Sequence, residues 1–330
     1  MQGPTTREFV TPPDPAAWWA ALRIVVSAVM LSLLLPRMHL PSLLPHTRHS
    51  DTVVYVVFGL LATFGGLVLS AWRWQRVLSI LDVPSRLASL VSHYLAGQFV
   101  GNFLPSTIGG DVLRVSRLSS TATAPGAASF ASVVVERLTG WIVLPALTLV
   151  GLVLQPSLLR LGLASRLALF LSVGTLLLLG VILTVAGSRR LAGRFADNEG
   201  WTRFIGAIHL GVDGLRRRPA AAAGVLVVAT IYQLSTVVAV YLATRALGLH
   251  LPMTAVLTFT PAVAIAQVLP LSLNGLGVRE GAFVVFLGPL GVSAGQAIAV
   301  GLLVYAMTLA ISLLGAPAFA VGGRARPLPV

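Results

Sequence analysis

Polar residues in this chain are gathered into short clusters, and the stretches between them are apolar on every face. The runs are continuous rather than alternating, so they predict helices and exclude a β-barrel. Several reach the roughly 20 residues that a helix needs to cross a hydrocarbon core. Full spans are predicted over 16–35, 53–72, 127–154, 163–186, 220–243 and 294–321. Trp18 and Trp19 at the first entry suit an interfacial belt. Two further apolar segments are interrupted. The first, 85–103, runs into Pro105, Gly109 and Gly110, and residues 105–125 hold too many charged and hydroxyl side chains to span. The second, 252–290, is broken at Pro270, Asn274, Gly275 and Gly277. Each predicts a helix that enters the membrane and returns, because irregular backbone at that depth must face protein or a water-filled cavity. The predicted fold is an all-α polytopic membrane protein of six transmembrane helices and two re-entrant hairpins, eight segments in one domain of residues 1–330.

Composition agrees. The chain is 56% hydrophobic and 10% charged, with mean hydropathy +0.89, where soluble domains are about 25% charged. Its net charge of +13 raises nucleic acid as a partner. The basic residues are all arginine, however, and they lie mostly between spans, without aromatic-basic interleaving of the kind single-strand binders use, so nucleic acid is not expected. The polar connector 187–219 carries seven arginines, which places it in the cytoplasm together with both termini and the "WRWQR" turn at 72–76. The N-terminal apolar run has no evident small-residue cleavage site and reads as a first membrane helix rather than a signal peptide. Without cysteine, disulfides and thiolate chemistry are excluded.

The two breaks resemble one another. "Q-x5-LP-x3-GGD-x2-R" from Gln98 to Arg114 is matched in order by "Q-x-LP-x4-G-x-G-x-RE" from Gln267 to Glu280. The first unit is entered from the cytoplasm and the second from outside. Residues 16–154 and 163–321 are therefore expected to form an inverted repeat, with a binding site where the broken helices meet.

At the breaks, Pro105 removes a backbone donor and Gly109–Gly110 permit a turn. Freed N–H groups at a helix end can face an anion. Arg114, Arg137 and Arg279 are candidate phosphate ligands, since guanidinium stays charged and binds phosphate bidentately. Arg137 has the strongest case because it lies within a span. Asp111, Glu136 and Glu280 are the acids nearest the membrane interior, as ion-pair partners, headgroup ligands or proton carriers, with Glu136 or Glu280 the candidates for coupling. Asn102 and Asn274 suit capping or headgroup contact, and His93 is a lesser candidate for proton transfer. No Ser-His-Asp arrangement, P-loop or metal-ligand cluster stands out. A transporter is therefore expected rather than an enzyme, with no cofactor and no metal.

Three stretches, "GNFLPSTIGGDVLRVSRL" (101–118), "ASVVVERLTG" (131–140) and "LPLSLNGLGVREG" (269–281), resemble signature regions of the lysylphosphatidylglycerol synthase transmembrane-region family. This is the flippase-like domain of the multiple peptide resistance factor. The resemblance covers 18–320. It implies lipid translocation in a prokaryotic cytoplasmic membrane and a role for Asn102, Pro105, Gly109, Gly110, Asp111, Arg114, Glu136, Arg137, Gly275, Gly277, Arg279 and Glu280. The chain ends soon after its last span, so the aminoacyl transfer of two-domain members is not expected of it. The expected function is movement of an anionic or zwitterionic phospholipid headgroup between leaflets, through a polar cavity between the hairpins. Alternatives are a small-solute secondary transporter and a lipid-binding partner of a glycosyltransferase acting on polyprenyl-phosphate-linked lipids. The expected partners are membrane lipids; a homo-oligomer and a separate lipid-modifying enzyme are left open.

Overall fold

A computed structural model describes residues 49–103, 109–120, 126–187, 201–268 and 275–320. The expected first span at 16–35, and with it Pro105, Pro270 and Asn274, lies outside these residues. The described chain is almost wholly helical and without strands. Five of its helices are long and apolar enough to cross a membrane.

The elements run α1 (His49–Ile80), α2 (Leu87–Phe103), α3 (Gly109–Ser119), α4 (Gly126–Leu154), α5 (Leu163–Gly187), α6 (Trp201–Arg217), α7 (Pro219–Ala246), α8 (Met253–Val268), α9 (Val278–Leu287), α10 (Ala294–Leu313) and α11 (Gly315–Ala320). The order of a long helix, a shorter helix, a break, a short helix and a long helix occurs twice, in α1–α4 and in α7–α10. The packing repeats with it. α1 lies along α7, α4 meets α8 as α10 meets α2, and α4 meets α7 as α10 meets α1. Only 17% of the apolar window of α1 and of α5 is buried inside the protein, against 56% for α4, so α4 is the central helix. Outward residues such as Phe170, Leu177 and Val53 are exposed and apolar, as lipid-facing positions should be.

Three boundaries differ from the sequence expectation. The second span does not end at Trp72, and "WRWQR" is not a turn: α1 continues to Ile80, because "VLSIL" resumes the apolar run and Arg73 and Trp74 are covered by other helices. The chain turns instead at Asp82, with φ +57, just before Pro84. Arg218 holds that turn by donating to Asp82 at 2.8 Å and to the Ser79 carbonyl at 2.9 Å. The connector 187–219 contains the amphipathic helix α6, whose Ala207, Ile208 and Val212 pack with residues of α4 and α5. The last span stops at Leu313 rather than 321, since Pro317 cannot donate to the Leu313 carbonyl and its ring crowds it.

In both broken segments the helices on either side of the break pack against each other. In the first, a β-carbon on Gly97 would lie 2.8 Å from the Gly110 carbonyl oxygen, so α2 and α3 meet backbone to backbone. Gly110 is helical, and its small size serves this close approach rather than a turn. The second differs. Gly275 (φ +78) and Gly277 (φ +82) take left-handed backbone conformations just before α9, which suit glycine. Phe259 of α8 stacks on Phe286 of α9 at 5.4 Å.

Candidate functional site

A ladder of alternating charges links three elements. Arg73 on α1 donates to Glu136 Oε1 on α4 at 2.7 Å. Arg114 on α3 pairs with Glu136 Oε2 and, at 3.3 Å, with Asp111 Oδ1. Arg137 donates through Nε to Asp111 Oδ2 at 2.5 Å. The order is Arg73, Glu136, Arg114, Asp111, Arg137: three cations and two anions. Tyr94 on α2 adds a hydroxyl donor to Glu136 Oε1 at 2.5 Å. Aromatic faces complete the shell, with the Arg114 guanidinium 3.8 Å from the Tyr94 ring centre and 4.2 Å from that of Trp74. Trp74 in turn donates to Ser132 at 2.9 Å.

Burial grades along the ladder. Arg73, Glu136 and Arg114 are buried, Asp111 is partly covered, and the Arg137 side chain is 53% exposed. A buried carboxylate carries a large desolvation cost unless its lone pairs are matched, and here three donors match them. Glu136 therefore ties α1, α2 and α3 to α4.

The other expected pair stands apart on α9. Arg279 donates to Glu280 Oε1 through Nε at 3.0 Å and Nη2 at 2.6 Å. Glu280 Oε2 accepts from the Gly277 amide at 2.6 Å, closing the start of the helix. Arg279 also lies 4.8 Å from the Tyr305 ring centre.

A cavity of about 480 Å³ opens between the two hairpins. Arg73, Arg114, Arg137 and Arg279 line it, with Asp111 and Glu136 as the lining carboxylates among the described residues. Asn102, at the end of α2, faces it as well. The structure thus gathers Arg114, Arg137, Arg279, Asp111, Glu136 and Asn102 around one space, with Glu280 behind Arg279.

Sequence reasoning does not single out Arg73, Tyr94, Tyr232 or Gln233, all of which line the cavity. For Arg73 a signal was present: an apolar stretch follows the charged cluster, so the helix had reason to continue past it. The other three are uncharged polar residues on otherwise apolar helices. Their use depends on partners far along the chain.

No curated protein matches the sequence. Residues 20–315 match the family described as Lysylphosphatidylglycerol synthase TM region. With helices built to cross a membrane and a match over most of its length, the chain is a multi-pass membrane protein of the lysylphosphatidylglycerol synthase TM-region family.

Proposed function

We propose that this protein translocates an anionic phospholipid between leaflets, admitting the headgroup to the cavity while the acyl chains stay in lipid. The observation that carries this reading is the cavity itself. Four arginines line it, while both lining carboxylates already have arginine partners. A cationic headgroup would have to displace an internal partner, whereas a phosphate meets excess positive charge. The family's name ties it to a lipid, and the lipid-facing outer surface supports the same reading. In this proposal α1–α4 and α7–α10 belong to two inverted halves that rock about the cavity. The arginine-rich 187–219 segment faces the cytoplasm of a prokaryotic cell.

Arg137 is the first contact for phosphate, being the exposed end of the ladder. Proteoliposomes with a fluorescent phosphatidylglycerol in both leaflets, read with an impermeant quencher, test this directly. Fast exchange by the wild type, lost in Arg137→Ala with folding unchanged, is the expected result. Exchange at the wild-type rate in the variant removes Arg137 from the path. No exchange of any phospholipid by the wild type overturns translocation and favours a small-solute carrier or a lipid-binding partner protein.

A further inference from the structure

Arg73 is 5% exposed and lines the cavity. Its Nη2 donates to Glu136, but its Nε and Nη1 are buried without hydrogen-bond partners. Leaving charged donors unmatched in a buried site is costly, and such groups in native proteins call for a ligand, ion or water. Nη1 lies against Gly140 of α4, which has no side chain. A β-carbon on Gly140 of α4 would lie 3.4 Å from Arg73 Nη1 and 3.7 Å from Gln233 Nε2 of α7. One methyl group at Gly140 would therefore touch N–H groups of both α1 and α7. Thr260 of α8, also on the cavity wall, has a buried hydroxyl without a partner. Tyr232 supplies the floor, its ring centre 4.9 Å from the Arg73 guanidinium carbon.

We infer that the side chains of Arg73 and Gln233, beside Gly140, form a phosphate-oxygen subsite at the inner end of the cavity, distinct from the exposed arginine at position 137. The ligand is a phosphate group, a lipid's phosphate ester or free phosphate. The guanidinium carries the charge and Gln233 supplies a second, neutral donor. In the two-half arrangement proposed above, the site joins α1 and α4 of one half to α7 of the other. It rests on the headgroup reading only for the identity of the phosphate as a lipid's.

Substitution of Arg73 would strip Glu136 of a buried partner and risk the fold, so Gly140 is the better probe. Contacts at 3.4 and 3.7 Å are ordinary van der Waals distances, and alanine suits a helix interior better than glycine. Gly140→Ala is therefore expected to fold. Gln233→Met, of similar volume, removes the second donor. Full-length protein in detergent would be titrated calorimetrically with dihexanoyl phosphatidylglycerol and, separately, with inorganic phosphate. Losing hydrogen bonds to a charged ligand weakens binding by roughly 10- to 100-fold. That loss in both variants, with unliganded melting temperatures no lower than the wild type's, is the expected outcome. Binding of the lipid but not inorganic phosphate identifies the phosphate as a headgroup's. Binding of inorganic phosphate alone keeps the subsite and overturns lipid translocation. Wild-type affinity in Gly140→Ala, or no binding of either probe to the wild type, overturns the subsite. If that variant binds normally while Arg137→Ala still stops exchange, translocation stands without it.

Discussion

Glu136 accepts hydrogen bonds from side chains on three helices, Arg73 of α1, Tyr94 of α2 and Arg114 of α3. Glu280 is held by the residue beside it and by the amide three positions earlier. Both carboxylates are fully buried, but one is a tertiary fastener and the other a local cap. The second hairpin is secured in another way. Phe259 and Phe286 stack within the large apolar cluster that α8, α9 and α10 share. Between helices in a bilayer, apolar packing lacks the solvent drive it has in water, so polar contacts and close fit decide which helices meet. The first hairpin adds a charge ladder and backbone-close glycine contact to its apolar packing, while the second relies mainly on apolar shape.

The comparison breaks most sharply at Glu136. Replacing it with alanine leaves Arg73 and Arg114 buried beside each other without their shared anion. Removing one partner of a buried ion pair costs about 3–5 kcal/mol. Glu136→Ala is expected to lose most of its folded yield, read as the monodisperse fraction after detergent extraction. Retention of wild-type melting behaviour would show that the ladder is not what joins α1, α2, α3 and α4.

The next effect in size is at Gly110. A β-carbon there would press into the Gly97 backbone, which cannot swing aside as a side chain can. Overpacking of this kind costs about 1–3 kcal/mol. Gly110→Ala should lower the melting temperature and loosen α3, exposing Arg114 to a polar modification reagent that the wild type resists. A variant as stable as the wild type would mean that the two helices do not need to touch.

What could be read from the sequence divides along the same line. Continuous apolar runs place α4 and α5 to within a residue or two, because helix-forming stretches in lipid are fixed by local composition. The breaks and the charges around them are also local, and Asp111, Arg114, Glu136 and Arg279 do meet one cavity. Arg73 escaped because its partner is 63 residues away and the groups around it lie on α4 and α7. Gly110 was legible as a small residue, but its reason was not: the need is for closeness to Gly97, which only the folded hairpin supplies. Gln233 and Thr260 have no local signal at all, since one polar residue on an apolar helix acquires a role only from what faces it.

Gly281 gives the smallest and most discriminating test. It lies inside α9, the counterpart of α3 in element order, and a β-carbon there would meet nothing within 4 Å. Glycine in a helix interior is less favourable than alanine by about 1 kcal/mol. If close glycine contact is peculiar to the first hairpin, Gly281→Ala should raise the melting temperature slightly or leave it unchanged, while Gly110→Ala lowers it. Both variants replace one helical glycine by alanine, so intrinsic propensity is common to them and cancels in the difference between their melting temperatures. What remains is the contact with the opposing helix. Equal destabilisation by the two would mean that both hairpins depend on backbone approach, and the contrast between the hairpins would fail.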